Sequence, residues 1–285
     1  MFLQKIKTIR SKNGLISVEE PLVMGILNIT LDSYYDGGKY AFFEDALAKA
    51  EIMIKDGVDI LDLGAASSRP GAVRLAPQEE ILRLIPVIKA IKNSYKTPIS
   101  IDTYQTEVAE AAFNAGADIL NDISAWSLDD ALFDWIVYNK IPYILMHMQG
   151  NPTTMQLNPT YEKVVTEVLT FLAAKVSQLH AGGVFELMID PGLGFGKSIE
   201  HNYQLLAHLE SFKILEHPIL VGLSRKSFIY RPLGSTPDAV LPETTALHLQ
   251  ALLAGADILR THDVAETKRV IKIFNLLKQG QHGGI

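Results

Sequence analysis

Eight short apolar runs alternate with eight longer stretches of helical spacing, and no other feature limits the fold of this chain so tightly. The runs are Leu22–Leu27, Asp59–Leu63, Pro98–Ile101, Asp118–Leu120, Tyr143–His147, Leu187–Ile189, Pro218–Gly222 and Asp257–Leu259. Between them, Ala46, Ile52 and Met53 help line one apolar face, and Ile81, Leu82, Ile85, Ile88 and Ile91 line another. Further helical stretches are Glu107–Ala115, Asp130–Tyr138, Tyr161–His180, His201–Glu210, Glu243–Ala254 and Ala265–Leu277. Strict alternation of strand and helix implies a parallel sheet with helices outside it. Eight repeats in 285 residues point to an α/β fold, a single closed (β/α)8 TIM barrel. A doubly wound open sheet is the structural alternative. The expected organisation is one domain over residues 1–285, with about twenty N-terminal residues outside the barrel count. These are expected to form a hairpin closing the barrel bottom, turning at Asn13-Gly14.

A short unit recurs within the alternation. Gly57-Val58-Asp59-Ile60-Leu61, Gly116-Ala117-Asp118-Ile119-Leu120 and Gly255-Ala256-Asp257-Ile258-Leu259 share one pattern, and Gly182-Gly183-Val184 resembles it less closely. Each Gly is expected just past a helix C-terminus, where positive φ is wanted. The unit reads as architecture rather than chemistry.

Composition removes several function classes. With 48% hydrophobic and 20% charged residues the chain is that of a globular protein. The absence of cysteine excludes disulfides, thiolate metal sites and cysteine nucleophiles. A net charge of −6 argues against nonspecific nucleic-acid binding, but not against a small anion held locally. Lys5, Lys7 and Arg10 interrupt the start of the chain, and no run of 18 apolar residues occurs. Neither a secretory signal nor a membrane span is expected, and the default location is cytoplasmic.

In a barrel, chemistry gathers at the C-terminal strand ends. Every predicted strand ends there in polar or ionisable groups: Asn28, the Gly64–Gly71 stretch, Asp102, Asn121, His147, Asp190, Lys226 and Arg260 with His262. Any one is expected to be a helix cap or a solvated charge; eight at one mouth are not. Asp102, Asn121, Asp190 and Lys226 suit a polar heterocycle, accepting from its N–H groups and donating to its carbonyl. Arg69, Arg260 and His262 suit a phosphate or pyrophosphate, helped by the helix N-termini after the last two strands. Gly64, Gly71, Gly192, Gly194 and Gly196 would permit close approach of backbone to ligand. His147 reads as structural, and His180 as a solvent-facing residue late in a helix.

At these residues the sequence resembles the dihydropteroate synthases. The motifs are Met24-Gly25-Ile26-Leu27-Asn28-Ile29-Thr30 with Asp36-Gly37-Gly38, Ser67-Ser68-Arg69-Pro70-Gly71, Ile101-Asp102-Thr103, Asn121-Asp122, Met146-His147-Met148-Gln149-Gly150, Asp190-Pro191-Gly192-Leu193-Gly194-Phe195-Gly196, Ser224-Arg225-Lys226 and Arg260-Thr261-His262-Asp263. They follow in family order over nearly the whole chain. The resemblance implies condensation of 6-hydroxymethyl-7,8-dihydropterin pyrophosphate with p-aminobenzoate, a step of folate biosynthesis and a sulfonamide target. It implies that Asp102, Asn121, Asp190 and Lys226 hold the pterin, with Met146 lining the pocket and Arg260 beside the ring. It implies Asn28 as the Mg²⁺-associated residue, and Arg69, Arg260 and His262 at the pyrophosphate. Ser68, Pro70, Phe195, Lys226 and Ser227 would frame p-aminobenzoate, and Asp36 would order the closed site. Asp36, Arg69, Asp102 and Lys226 are the expected catalytic residues. The family also implies a homodimer through late helices, with no nucleic-acid or membrane partner.

Six positions depart from the family pattern: Leu31 stands for the usual Pro, Tyr34-Tyr35 for Phe-Ser, Ala65-Ala66 for Gly-Glu, and Ser68 for Thr. They bear on loop behaviour and inhibitor response. The rival readings are a pterin-dependent methyltransferase barrel, a noncatalytic pterin-binding homologue, and a generic phosphate-binding isomerase. The first should lack the Arg69 loop and the Ser224-Arg225-Lys226 run. The second should have lost anion residues that are present here. The third leaves Asp102, Asn121, Asp190 and Lys226 unexplained together.

Overall fold

Period-two alternation in short parallel strands sorts the apolar runs into an inner and an outer layer. In the computed structural model, which describes residues 8–12, 14–29, 38–65 and 75–282, those strands form a barrel. A two-stranded antiparallel hairpin, β1 (Thr8–Ser11) and β2 (Gly14–Ser17), precedes it. The barrel strands are β3 (Leu22–Asn28), β4 (Ile60–Gly64), β5 (Ile99–Asp102), β6 (Ile119–Asp122), β7 (Tyr143–Met146), β8 (Leu187–Asp190), β9 (Leu220–Gly222) and β10 (Ile258–Thr261). They pair in parallel in the order β8-β7-β6-β5-β4-β3-β10-β9. A single bridge, Ile189 to Ile219, joins the two ends, with Ile189 N–H donating to Pro218 O at 2.8 Å.

The helices are α1 (Gly38–Lys55), α2 (Pro77–Ser94), α3 (Thr106–Ala115), α4 (Asp130–Asn139), α5 (Val164–Ala181), α6 (Ile199–Ala207), α7 (Ser227–Tyr230), α8 (Leu241–Leu253) and α9 (Val264–His282). The alternation is therefore not strict: the short α7 and a 3-10 turn, Pro237–Ala239, lie between β9 and α8. The predicted helix from Tyr161 begins instead at Val164, because Tyr161 belongs to the loop and donates its hydroxyl to Gly196 O at 2.8 Å. The helix predicted from His201 begins earlier, at Ile199. Ser198 caps it, its hydroxyl accepting from His201 N–H at 3.1 Å while His201 Nδ1 accepts from Ser198 N–H. On α2 the buried face runs through Leu84, Val87, Ile88 and Ile91, and Leu82 is 71% exposed. Ile52 on α1 is likewise exposed.

The repeated unit is architectural. Gly57, Gly116 and Gly255 follow helices with φ of 86°, 125° and 101°. The aspartate after each does more than open a strand. Asp59 accepts Val23 N–H at 2.6 Å, Asp118 accepts Ile99 N–H at 2.9 Å, and Asp257 accepts Ile219 N–H at 2.8 Å. At three of the four even-numbered barrel strands, β4, β6 and β10, the aspartate thus binds the start of the odd-numbered strand before it, a backbone donor that the ladder leaves over.

The hairpin docks on the same end. Asp118 also accepts Lys12 N–H at 2.8 Å, and Glu186, in the fourth and weaker unit, takes Arg10 N–H at 3.0 Å and its guanidinium at 2.9 Å. Ile9 and Val18 then close an apolar layer made of Leu22, Met24, Ile60, Ile119, Ile144, Met188, Leu220 and Ile258. The hairpin is the expected barrel plug; Asn13 lies outside the described residues. A larger apolar layer fills the space between strands and helices. His180 does not face solvent. It is half-buried, with its Nε2 3.0 Å from Nε2 of His217. Burial holds His217 at a pKa of about 4, so its ring meets His180 in the neutral form.

Candidate active site

Two residues on from that inner apolar layer, the same strand phase turns polar. Ile60 leads to Asp62, Ser100 to Asp102, Ile119 to Asn121, Met188 to Asp190 and Ile258 to Arg260, while Ile144 leads to Met146 and Leu220 to Gly222. Pleating alone therefore aims these side chains into one mouth.

Arg260 crosses the barrel interior. Its Nε donates to Asp62 Oδ2 at 2.6 Å and its Nη2 to Asp102 Oδ2 at 2.7 Å. Asn121 Nδ2 reaches Asp62 Oδ2 at 3.2 Å. Two carboxylates so close together in a buried site need the guanidinium between them. Burial pushes the Asp102 carboxyl up, to about 7, with Arg260 the main opposing influence. The same two carboxylates raise Arg260 against its own desolvation. Asp62 was not anticipated as a site residue. The available signal was one charged residue inside the apolar run Ile60-Leu61-Asp62-Leu63, not after it.

Asp190 is buried and accepts Gly192 N–H at 2.7 Å. Burial raises its pKa, and the charge of Lys226 opposes. Lys226 is half-buried; its ammonium donates to Leu193 O and lies 4.3 Å from the Phe195 ring centroid. Burial lowers it to about 8, with Asp190 supporting the charged form. Gly194 makes this approach available: at φ 83°, a Cβ there would fall 2.8 Å from Lys226 Cδ. The glycines after β8 thus leave room for the protein's own chain. A Cβ on Gly192 would fall 1.9 Å from His147 O, and one on Gly196 2.4 Å from Gln149 O. Those spaces, expected to admit a ligand, are filled.

Phe195 and Met146 meet in one small apolar cluster with Ile123 and Met155, flanked by Tyr104 and Met148. On the other side, Ser224 Oγ accepts His262 N–H at 3.2 Å and lies 3.0 Å from His262 Nδ1. These two contacts fix the His262 ring at the mouth, an imidazole able to donate to an anion. Arg225, at φ 57°, clamps Asp263 at 2.6 Å and Asp238 at 2.7 Å, which fixes the turn presenting Lys226. Ser227, half-buried, opens α7 directly after it. His147 is structural, as expected: its Nδ1 faces Lys197 Nζ at 3.0 Å.

Asn28 ends β3 with its side chain exposed at the mouth. Its amide oxygen is a hard donor of the kind Mg²⁺ accepts. Mg²⁺ commonly takes one or two protein oxygens and completes its shell with water and substrate phosphate. A single amide oxygen at the mouth fits that way of binding. Asp36, Ser68, Arg69, Pro70 and Gly71 lie outside the described residues.

The site can therefore bind a flat polar ring against carboxylates, an amide and an ammonium, beside an apolar wall and an imidazole donor. Comparison with known proteins agrees. Residues 24–262 match the family described as pterin binding enzyme. The dihydropteroate synthase of Haemophilus influenzae is 41% identical over 266 residues, covering 93% of this chain and 96% of that one. The Yersinia pestis dihydropteroate synthase, solved with a sulfonamide drug, superposes with a TM-score of 0.90 at 36% identity, over 95% and 99% of the two chains. The Xanthomonas albilineans dihydropteroate synthase, solved with 4-aminobenzoic acid, gives 0.89 at 37% identity, over 96% and 99%. With this barrel, these carboxylates and these relatives, the chain belongs to the dihydropteroate synthase family of pterin-binding enzymes.

Proposed function

We infer that this chain acts as a dihydropteroate synthase, joining p-aminobenzoate to 6-hydroxymethyl-7,8-dihydropterin pyrophosphate in folate biosynthesis. The observation that carries this reading is the polar layer itself: Asp62, Asp102, Asn121, Asp190 and Arg260 from five strands and Lys226 from the loop after β9, gathered at one mouth in a chain this similar to synthases. The same similarity favours a synthase over a methyltransferase barrel or a noncatalytic homologue.

Asp102, Asn121 and Asp190 accept from the pterin N–H and amino groups, and Lys226 donates to its acceptor edge. Arg260 keeps Asp102 oriented and has further N–H groups for the ring or the pyrophosphate. Met146 lines the ring's apolar side. Phe195, Lys226 and Ser227, with Ser68 and Pro70, frame the aminobenzoate. The carbon–oxygen bond to pyrophosphate breaks first, the amine nitrogen then bonds to the cationic exocyclic methylene, and the amine proton passes to the released pyrophosphate or to solvent. Pyrophosphate takes the bonding pair, so Arg69, His262 and Arg260 act by neutralising its growing charge. Mg²⁺ held through Asn28 supplies further neutralisation there when bound. Asp102 and Asp36 stabilise positive charge spreading into the electron-rich ring. Residues of the loops after β3 and β4 exclude water from that cation.

The chain is proposed to work as one catalytic unit over its length, as a homodimer. The exposed Leu253, Ile273, Leu276 and Leu277 all lie on α8 and α9. No helix among the described residues is long and apolar enough to cross a membrane, and a cytoplasmic location is proposed. Sulfonamides are expected to compete with p-aminobenzoate.

The direct test incubates the purified chain with Mg²⁺, the pterin pyrophosphate and p-aminobenzoate. Dihydropteroate and pyrophosphate are expected in equal amounts, and no product under conditions that support a known synthase overturns the reading. Lys226→Ala is expected to lower kcat/KM by about a hundredfold or more, the scale of losing a charged donor to the reacting pair. Unchanged kinetics would remove Lys226 from the site.

A further inference from the structure

Lys197 is 3% exposed, and no acidic side chain makes a hydrogen bond to it among the described residues. Burial lowers its pKa to about 7, with Asp190 supporting the charged form from further away and Lys226 opposing it. An ammonium in so dry a place is costly unless every donor is used. Here every donor is used. Nζ meets His147 Nδ1 at 3.0 Å, His147 O at 3.2 Å and Phe195 O at 2.9 Å, three acceptors for three N–H groups. Burial holds His147 at about 3, so its Nδ1 lone pair is present to accept. The acceptors come from two loops, the one after β7 and the one after β8. One of them is the backbone carbonyl of Phe195, whose ring lies against the Lys226 ammonium.

A loop that needed only to be packed would be served by an apolar side chain at lower cost. A three-way ammonium clamp adds direction: it fixes the Phe195 peptide, and with it the ring on the far side. The remaining ties between these loops, Gln156 to Gly194 O and Tyr161 to Gly196 O, come from more exposed side chains and flank Phe195 without touching its peptide.

We propose that Lys197 is a positioning residue for the aminobenzoate half of the reaction, clamping the loops after β7 and β8 so that Phe195 is held against Lys226. This rests on the reading that Phe195 and Lys226 frame the aminobenzoate. The pterin is held mainly by Asp102, Asn121 and Asp190 at strand ends, and Lys226, which also faces it, belongs to the loop after β9, which the clamp does not tie.

The experiment measures KM for p-aminobenzoate beside the Kd of the pterin pyrophosphate with Mg²⁺ alone. Lys197→Met is expected to raise KM about fivefold or more while Kd stays within about twofold. A second pair reads the clamp from its other end if that variant does not fold. His147→Asn keeps an acceptor facing Nζ and is expected to stay within about twofold of wild type in KM, whereas His147→Leu removes it and raises KM as Lys197→Met does. The proposal is overturned if KM is unmoved, if KM and Kd rise together, or if Asn and Leu at position 147 behave alike. Phe195→Ala separates the two levels. If it raises KM and the clamp variants do not, only the role of Lys197 fails. If it leaves KM unchanged, the placement of the aminobenzoate fails with it.

Discussion

Asp102 and Lys226 must carry opposite charges over a narrow pH range. Burial raises the Asp102 carboxyl to about 7 and lowers the Lys226 ammonium to about 8. Pterin binding needs the first ionised and the second protonated. Rising pH ionises Asp102 and then discharges Lys226, so kcat/KM is expected to climb through pH about 7 and fall above about 8. Lys226→Arg, whose guanidinium stays charged, should remove the alkaline fall even at reduced rate. A flat profile from pH 6 to 9 would contradict these environments. Asp102, Asn121, Asp190 and Lys226 were legible in the sequence because each stands where an apolar run gives way to a loop. Asp62 was not, because it sits inside its strand, where a charge is tolerated only with a partner, and that partner, Arg260, is 198 residues away. Lys197 was illegible for a related reason: two of its acceptors are backbone carbonyls, and carbonyls have no sequence signature.

Element by element, the strand–helix units were readable from periodicity, and the recurring Gly-x-Asp marked where each pair turns. What the pattern hid was the use of the aspartate. Asp118 binds Ile99 N–H and Lys12 N–H and pairs with Lys92 at 2.5 Å. Removing it strands two backbone donors and a mostly buried ammonium. Asp118→Ala is therefore expected to cost about 3 kcal/mol, read as a lower urea midpoint at unchanged slope. A loss under about 0.5 kcal/mol would mean that water replaces the carboxylate at no cost. On the expected apolar face of α2, Ile81, Ile85, Ile88 and Ile91 do pack on the core, and Leu82 alone was misread, for a physical reason too. Ile81, Leu82 and Ile85 are as apolar as their neighbours, and only the partner surface decides that Leu84 and Val87 go inward while Leu82 is left outside.

At the scale of the whole molecule, the barrel and its hairpin plug were both expected, whereas the outer surface carries less information in its sequence. Leu253 is 52% exposed, Ile273 51%, Leu276 54% and Leu277 46%, all on the last two helices. The homodimer proposed above would cover these four side chains; large apolar side chains are exposed elsewhere too, among them Leu82, Tyr138, Leu157 and Ile214. Leu276→Glu, placing a charge in that surface, is expected to halve the sedimenting mass of the protein at micromolar concentration while the circular dichroism spectrum is kept. Wild type sedimenting as a monomer would refute the dimer outright.

The barrel is a hoop with one seam. Seven neighbouring strand pairs are laced by ladders, but β8 and β9 touch through the single bridge between Ile189 and Ile219. Above that seam the Lys226 ammonium spans from the loop after β9 to Leu193 O in the loop after β8. The side chain proposed to face the pterin is therefore also a stitch across the weakest line of the wall. A ring that draws this ammonium toward itself competes with the stitch, so substrate binding and the stiffness of the hoop draw on one donor.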